Sequence, residues 1–248
     1  MERAINYERN LVSRNCSFCE STYEINYDYI DILFMVDATE SMTPYINASI
    51  KNCKNIVQTI ELKFPYKIKK FGAIFYRDPI DRKEDKHTYI QLTSNGNSFQ
   101  NQIEGIKAFG GNDYAEDWNG AYEIALNKIN WTNERGNKIV IHIADASAHG
   151  NEFIEPGIED KHPHEGPKFI ETIKKVAKKG IKIIGFPIGK YPPINSFTKL
   201  KEIYSKNHGY SIYIYPNLFN IKYFDTITKV AIYFIHNNLD ELNLDEMK

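Results

Sequence analysis

Ile32-Leu33-Phe34-Met35-Val36 is an unbroken apolar run that stops abruptly at Asp37, and Ala38-Thr39-Glu40-Ser41-Met42 follows directly. A strand with one wet face alternates apolar and polar residues. A continuous apolar run of this length reads instead as a parallel strand covered on both faces. The pattern returns in Ile139-Val140-Ile141-His142-Ile143-Ala144, which ends at Asp145, and again in Ile181 to Ile188.

Between these runs the period changes. Ile46, Ile50, Cys53, Val57 and Ile60 recur at helical spacing, with Pro44 near the first turn and Cys53 on the core-facing side. Phe71 to Tyr76 and Thr88 to Leu92 read as two strands joined by the charged, hairpin-like segment Arg77 to Lys86. Ser98 to Ile106 predicts a short helix, Gly110-Gly111 a break, Trp118 to Ile129 a second amphipathic helix and Lys168 to Lys179 a third. Tyr210 to Tyr215 predicts a last strand and Leu218 to Ile235 a terminal helix, with Gly150 to Pro167 the longest irregular piece. Strands alternating with helices predict an α/β fold, a doubly wound, mostly parallel sheet with helices on both faces. The expected layout is an N-terminal arm over 1–27, one domain over 28–238 and a tail over 239–248.

Composition agrees with a globular chain. Of 248 residues, 42% are hydrophobic and 25% charged, too much core material for disorder and no apolar stretch long enough for a bilayer. Lysine plus arginine (31) nearly balances aspartate plus glutamate (32), so nothing electrostatic points to nucleic acid or an anionic membrane as partner. Met1 to Thr22 lacks the apolar run of a secretory signal, and three cysteines make no disulfide framework; both suit a cytoplasmic location. Cys16-x-x-Cys19 lacks two further ligands at suitable spacing for zinc.

The chemistry gathers at strand ends. In an open α/β sheet the ligand crevice lies at the carboxyl ends of the strands where the winding reverses, so Asp37 and Asp145 are expected to face one site. Asp37, Thr39 and Ser41 offer alternate oxygens on a loop entering a helix, half the shell of about six oxygens that Mg²⁺ takes. Thr39 and Ser41 equally suit helix capping, and these residues alone leave both readings open.

The arrangement resembles the metal-ion-dependent adhesion site of the von Willebrand factor A (vWA) family, whose first motif, Asp-x-Ser-x-Ser, is met here with Thr39 at the second place. The resemblance spans roughly residues 28–238. It is strongest to vWA domains found beside atypical alpha-kinases and in hemicentin-like proteins, through Tyr76-Arg77-Asp78, Gly110-Gly111-Asn112-Asp113 with Glu116-Asp117, and Asp145-Ala146 with His149-Gly150. It implies a non-enzymatic protein-interaction module. It also implies a divalent cation, Mg²⁺ or Mn²⁺, held by Asp37, Thr39, Ser41, Asp113 in the second loop and Asp145 in the third.

Two residues depart from the pattern. Many adhesion-type members carry threonine where Asp113 stands, and a third carboxylate makes an acidic partner less favourable while Arg77 offsets part of the charge. Ala115 replaces a proline before Glu116, which leaves the choice between Asp113 and Glu116 open. After the vWA-like region the sequence has no room for an alpha-kinase catalytic domain, so a kinase partner would sit on another chain.

Other residues invite a reading. His162-Pro163-His164-Glu165 is expected to be solvated, His149 to lie near the crevice mouth, and Tyr114 and Trp118 either to rim the site or to pack inward. A strand ending in Asp-x-Thr also opens the haloacid-dehalogenase-like phosphotransferases, with Asp37 as nucleophile. That reading lacks the later acidic pair that holds Mg²⁺, since Asp145 is followed by Ala146-Ser147-Ala148-His149, and it gives the double glycine no role. A vWA domain with a vestigial metal site is the remaining alternative.

Overall fold

Strand β1, Tyr29–Asp37, is buried along nearly its whole length, and its alternate side chains enter two different cores. Ile32, Phe34 and Val36 join the core formed with α1 (Ile46–Lys63), α2 (Gly96–Ile103) and α6 (Asp225–His236). Leu33 and Met35 join the core formed with α3 (Trp118–Asn127), α4 (Gly166–Lys178) and α5 (Ile194–Asn207). This two-sided burial is why the run is uninterrupted. The computed structural model describes residues 29–80, 83–111, 113–132, 136–207, 212–215 and 225–236. The predicted arm, the tail and Cys16/Cys19 lie outside the described residues.

With β2 (Ile68–Tyr76), β3 (Thr88–Thr93), β4 (Asn137–Ala144), β5 (Ile181–Pro187) and β6 (Tyr213–Ile214), the sheet has the order β3-β2-β1-β4-β5-β6. Only β3 runs antiparallel to its neighbour, as the hairpin-like link from Arg77 predicts. The winding reverses between β1 and β4, which pair in parallel from Ile30↔Asn137 to Val36↔Ile143. That register places Asp37 and Asp145 side by side at the carboxyl edge, where such a sheet binds its ligands.

Helix α1 buries Ile46, Ile50, Cys53, Val57 and Ile60, so the apolar period and the core position of Cys53 are as expected. Helix α5 is additional to the sequence expectations. It follows Pro192-Pro193 and buries Phe197, Leu200, Ile203 and Tyr204, a 3-3-1 spacing that fits one helical face. Its polar exposed positions, such as Lys201 and Glu202, dilute the signal. No helix among the described residues is long and apolar enough to cross a membrane.

Candidate functional site

Beyond Asp37 the chain enters a short 3-10 turn, Glu40–Met42, flanked by Thr39 in an extended conformation. The Thr39 hydroxyl makes no cap bond to that turn. Both its backbone N–H and its hydroxyl instead donate to Asp37 Oδ1, at 2.9 and 2.7 Å. Thr39 Oγ1 lies 3.3 Å from Ser41 Oγ, and Ser41 Oγ donates to Asp145 Oδ1 at 3.0 Å. The capping alternative therefore fails for Thr39. Asp37, Thr39, Ser41 and Asp145 form one chain of polar side chains.

The second loop is fastened onto the first by two backbone bonds, Phe109 N–H to Ala38 O at 2.9 Å and Glu40 N–H to Gly110 O at 2.8 Å. Gly110 and Gly111 both sit in the left-handed region, with φ of 79° and 78°. A Cβ on Gly111 would stand 2.8 Å from Glu116 Oε1 and 3.2 Å from Thr39 Cβ, so this glycine lets the Glu116 carboxylate approach the metal loop. Gly111→Ala is expected to lose about 1–2 kcal/mol from backbone strain alone and to weaken any cation response of the site. A thermal melt with and without Mg²⁺ checks both effects.

Downstream of the glycines, Asp113 and Glu116 part company. Glu116 is almost wholly buried and lies beside Thr39, while its own N–H donates to Ser147 O at 2.8 Å. Asp113 has its Oδ2 within 3.3 Å of Lys161 N and shares a cluster with Asp78 and His149, one ligand atom from each lying within 4.8 Å of the others. Asp117 is structural. It caps α3 through Gly120 N–H (2.7 Å) and takes His87 Nε2 at 3.0 Å.

The electrostatics of the crevice are those of crowded carboxyls. Burial first, then the neighbouring Asp145 charge, pushes Asp37 up to about 8 against the opposing bonds from Thr39. Burial also lifts Asp145 to about 6, opposed by the Ser41 bond. Glu116 is held well above its usual range by burial and then by Asp37 and Asp78. Asp37 Oδ2 and Glu116 Oε2 are buried and accept no hydrogen bond. Buried carboxylate oxygens of this kind, beside two hydroxyls, fit a hard divalent cation, which would supply the missing partner for each.

Arg77 contributes the offset expected of it. Burial lowers its pKa, while Asp85 and Asp37 act to raise it. Its guanidinium donates to Lys107 O at 3.0 Å and lies 3.9 Å over the Phe109 ring. Behind Asp37, on the neighbouring strand, Tyr76 OH is 3.1 Å from His142 Nε2, and Tyr122 OH is 3.1 Å from His142 Nδ1. Burial depresses His142 to about 3, so the imidazole is neutral and each nitrogen has one tyrosine partner. Its NMR ring-proton shifts are expected to stay constant from pH 5 to 8; a titration step in that window would contradict this assignment.

Above the polar chain opens a cleft of about 600 Å³, lined by Ser41, Gly110, Gly111, Asp113, Glu116 and Asp145 and rimmed by Tyr45, Tyr114, Lys190 and Tyr191. Tyr114 is a rim residue, donating to Tyr191 O at 2.5 Å, whereas Trp118 packs in the core. His149 is buried between two carboxylates, with Nδ1 2.8 Å from Asp160 Oδ1 and Nε2 3.4 Å from Asp78 Oδ1. Burial opposes its charge, but these partners outweigh it and raise the imidazole to about 9. His164 is largely exposed beside Glu165, as expected, while the His162 ring packs edge-on to His149 at 5.0 Å. Asp160 had no sequence signal, since it meets His149 only by the return of an irregular loop.

Asp37 has no exposed surface, and its Oδ1 is engaged by Thr39, an unfavourable setting for the nucleophile of a phosphotransferase.

Comparison with known proteins agrees with this fold. The alpha-protein kinase vwkA of Dictyostelium discoideum is 31% identical over 142 residues, covering 57% of this chain and 22% of that protein, so the chain spans about a fifth of that relative's length. Among solved structures, the pilus adhesin SpaC from Lactobacillus rhamnosus GG superposes with a TM-score of 0.57 at 18% identity over 86% of this chain and 31% of that one. The SpRpn10 VWA domain gives 0.53 at 13% identity over 76% of this chain and 87% of its own. Proximal thread matrix protein 1 from the mussel byssus gives 0.53 at 14%, over 83% and 46% respectively. At these identities the structural likeness is one of fold. A von Willebrand factor A domain model matches residues 31–156, more than half of the 248, and the chain belongs to the von Willebrand factor A domain family.

Proposed function

We propose that this domain is a metal-dependent protein-interaction module, in which Asp37, Thr39, Ser41 and Asp145 hold a divalent cation, Mg²⁺ or Mn²⁺, together with the second loop. That loop offers two carboxylates, Asp113 and Glu116, of which Glu116 stands beside Thr39. The observation that carries the reading is the continuous polar chain from Asp37 to Asp145 beneath an open cleft. A cation there would keep a coordination position for an oxygen from the partner protein. The residues of this chain set how that position is reached. Thr39 aligns Asp37, Ser41 ties the first loop to the third, and Gly110-Gly111 close the second loop over both. Tyr114, Lys190 and Tyr191 border the opening and would meet the partner first. Because the relative with 31% identity is an alpha-kinase, an alpha-kinase is the first partner to try.

The test has two stages. Mn²⁺ binding followed by electron paramagnetic resonance should show a site in the wild type that is lost in Asp37→Ala and in Ser41→Ala. Binding to a purified alpha-kinase and to cell proteins is then compared in Mg²⁺ and in EDTA. Retention that needs both the cation and Asp37 supports the proposal. Metal binding that survives both substitutions when His149 is also replaced by Gln, or no binding at millimolar cation, sinks it in favour of a vestigial site.

A further inference from the structure

The end of β2, the second loop and the loop after β4 bring Asp78, Asp113 and His149 together beside the polar chain just described, and these three side chains differ from it in kind because one donor is nitrogen. We propose that Asp78, Asp113 and His149 form a second divalent-cation site, suited to a borderline ion of the Zn²⁺ or Co²⁺ type, with Glu116, beside Thr39, left as the second-loop carboxylate of the first. One ligand atom from each residue lies within 4.8 Å of the others. Asp78 is completely buried, and its Oδ2 accepts no hydrogen bond. A carboxylate oxygen placed there without a partner costs free energy that a cation would return.

Histidine orientation is the second, independent observation. Metal-bound histidines nearly always donate their other ring N–H to a carboxylate, a backbone carbonyl or water, which fixes the ring and the tautomer. Here Asp160 Oδ1 takes His149 Nδ1 at 2.8 Å, and Asp160 is itself held by Gly150 N–H at 2.6 Å and His162 N–H at 2.8 Å. The imidazole is thereby locked with Nε2 toward Asp78. The Nε2 to Oδ1 separation is 3.4 Å, longer than the usual ~2.9–3.0 Å of an N–H···O bond. Two ligands at ~2.0–2.1 Å from one tetrahedral ion stand about 3.3 Å apart, a spacing that the His149–Asp78 ion pair already has, while the Asp113 ligand atom lies within 4.8 Å of both. Two carboxylates balance the charge of the dication while the imidazole binds as a neutral donor. Mixed nitrogen and oxygen donors select a borderline ion over Mg²⁺, and three protein ligands leave the fourth position of such an ion for water or a partner group.

The two centres can be read separately, since the donors of the first are all oxygens. The full chain is stripped with EDTA, dialysed and titrated with Co²⁺, and its proton NMR spectrum is searched for a far-shifted exchangeable imidazole N–H. The expected result is one such resonance in wild type and in Asp37→Ala, displaced by Zn²⁺ and missing from His149→Gln. Asp160→Asn should weaken Zn²⁺ binding about 10- to 100-fold and leave Mg²⁺ binding unchanged. No shifted N–H in the wild type at saturating Co²⁺ would reduce the cluster to an ion pair, a result independent of whether any variant folds. A resonance that survives in His149→Gln, or an unchanged Zn²⁺ affinity in Asp160→Asn, would also overturn the assignment.

Discussion

Stripped of divalent cations, the protein is expected to lose stability steadily as pH rises from about 4 to 8, and excess Mg²⁺ to restore most of it. Asp37 has a folded pKa of about 8 against an ordinary value of 3.8, and Asp145 about 6. Below pH ~4 these groups are protonated in both states and contribute nothing. As pH climbs, the unfolded chain ionises first and is favoured by doing so, until the folded carboxyls have ionised too. The loss is on the order of a few kcal/mol. A cation that binds only the folded state, at 100 times its dissociation constant, returns about 2.7 kcal/mol, or roughly 5–11 °C for a domain of this size. Asp37→Asn puts a neutral amide in the same space. It should melt higher than wild type in EDTA at pH 8 and show no rise with Mg²⁺. His149, raised to about 9, adds a loss of the same sign above pH ~6.5, and the Asn variant isolates the Asp37 share. A flat melting temperature for EDTA-treated wild type from pH 5 to 8, or an Mg²⁺ rise that persists in Asp37→Asn, would count against the metal centre.

Much of this crevice is legible in the sequence, because its residues sit where local sequence and topology meet. A strand buried on both faces must be apolar throughout, so the first polar residue after it marks the sheet edge; Asp37 and Asp145 announce themselves in this way. Thr39 and Ser41 follow at alternate positions, but spacing suited helix capping equally, and the resemblance to the vWA motif was needed to favour ligation. The division of labour between Asp113 and Glu116 was not legible, for it depends on two left-handed glycines whose turn lets Glu116 approach Thr39. Asp160 reaches His149 across a loop with no period to read. Helix α5 was hidden for a different reason: its four buried side chains share a face, but charged positions between them and the proline pair before it read locally as a connection.

Trp118→Ala is expected to be the most damaging substitution in the core, at about 3–5 kcal/mol, as for other large aromatic truncations, lowering the melting temperature by roughly 6–20 °C. Trp118 is fully buried, its ring 4.3 Å from His142 and 4.8 Å from Phe197, so it joins α3, β4 and α5 in one aromatic layer. Its indole N–H has no hydrogen-bond partner. Trp118→Phe therefore removes volume but also removes an unsatisfied buried donor, and it should recover most of the loss that alanine causes. The effect reaches the cleft as well. The Trp118 backbone N–H donates to the Glu116 backbone carbonyl at 2.8 Å, so a residue that anchors the start of α3 also fixes the backbone from which the Glu116 carboxylate reaches Thr39. Loosening that anchor frees Glu116 to turn, and the Mg²⁺-induced rise in Trp118→Ala should shrink relative to wild type even when both are compared far below their midpoints by direct cation titration. Equal losses in the Ala and Phe variants would place the energy in the indole's polar atom and not in its packing. An intact cation affinity in the Ala variant would separate the aromatic layer from the site above it.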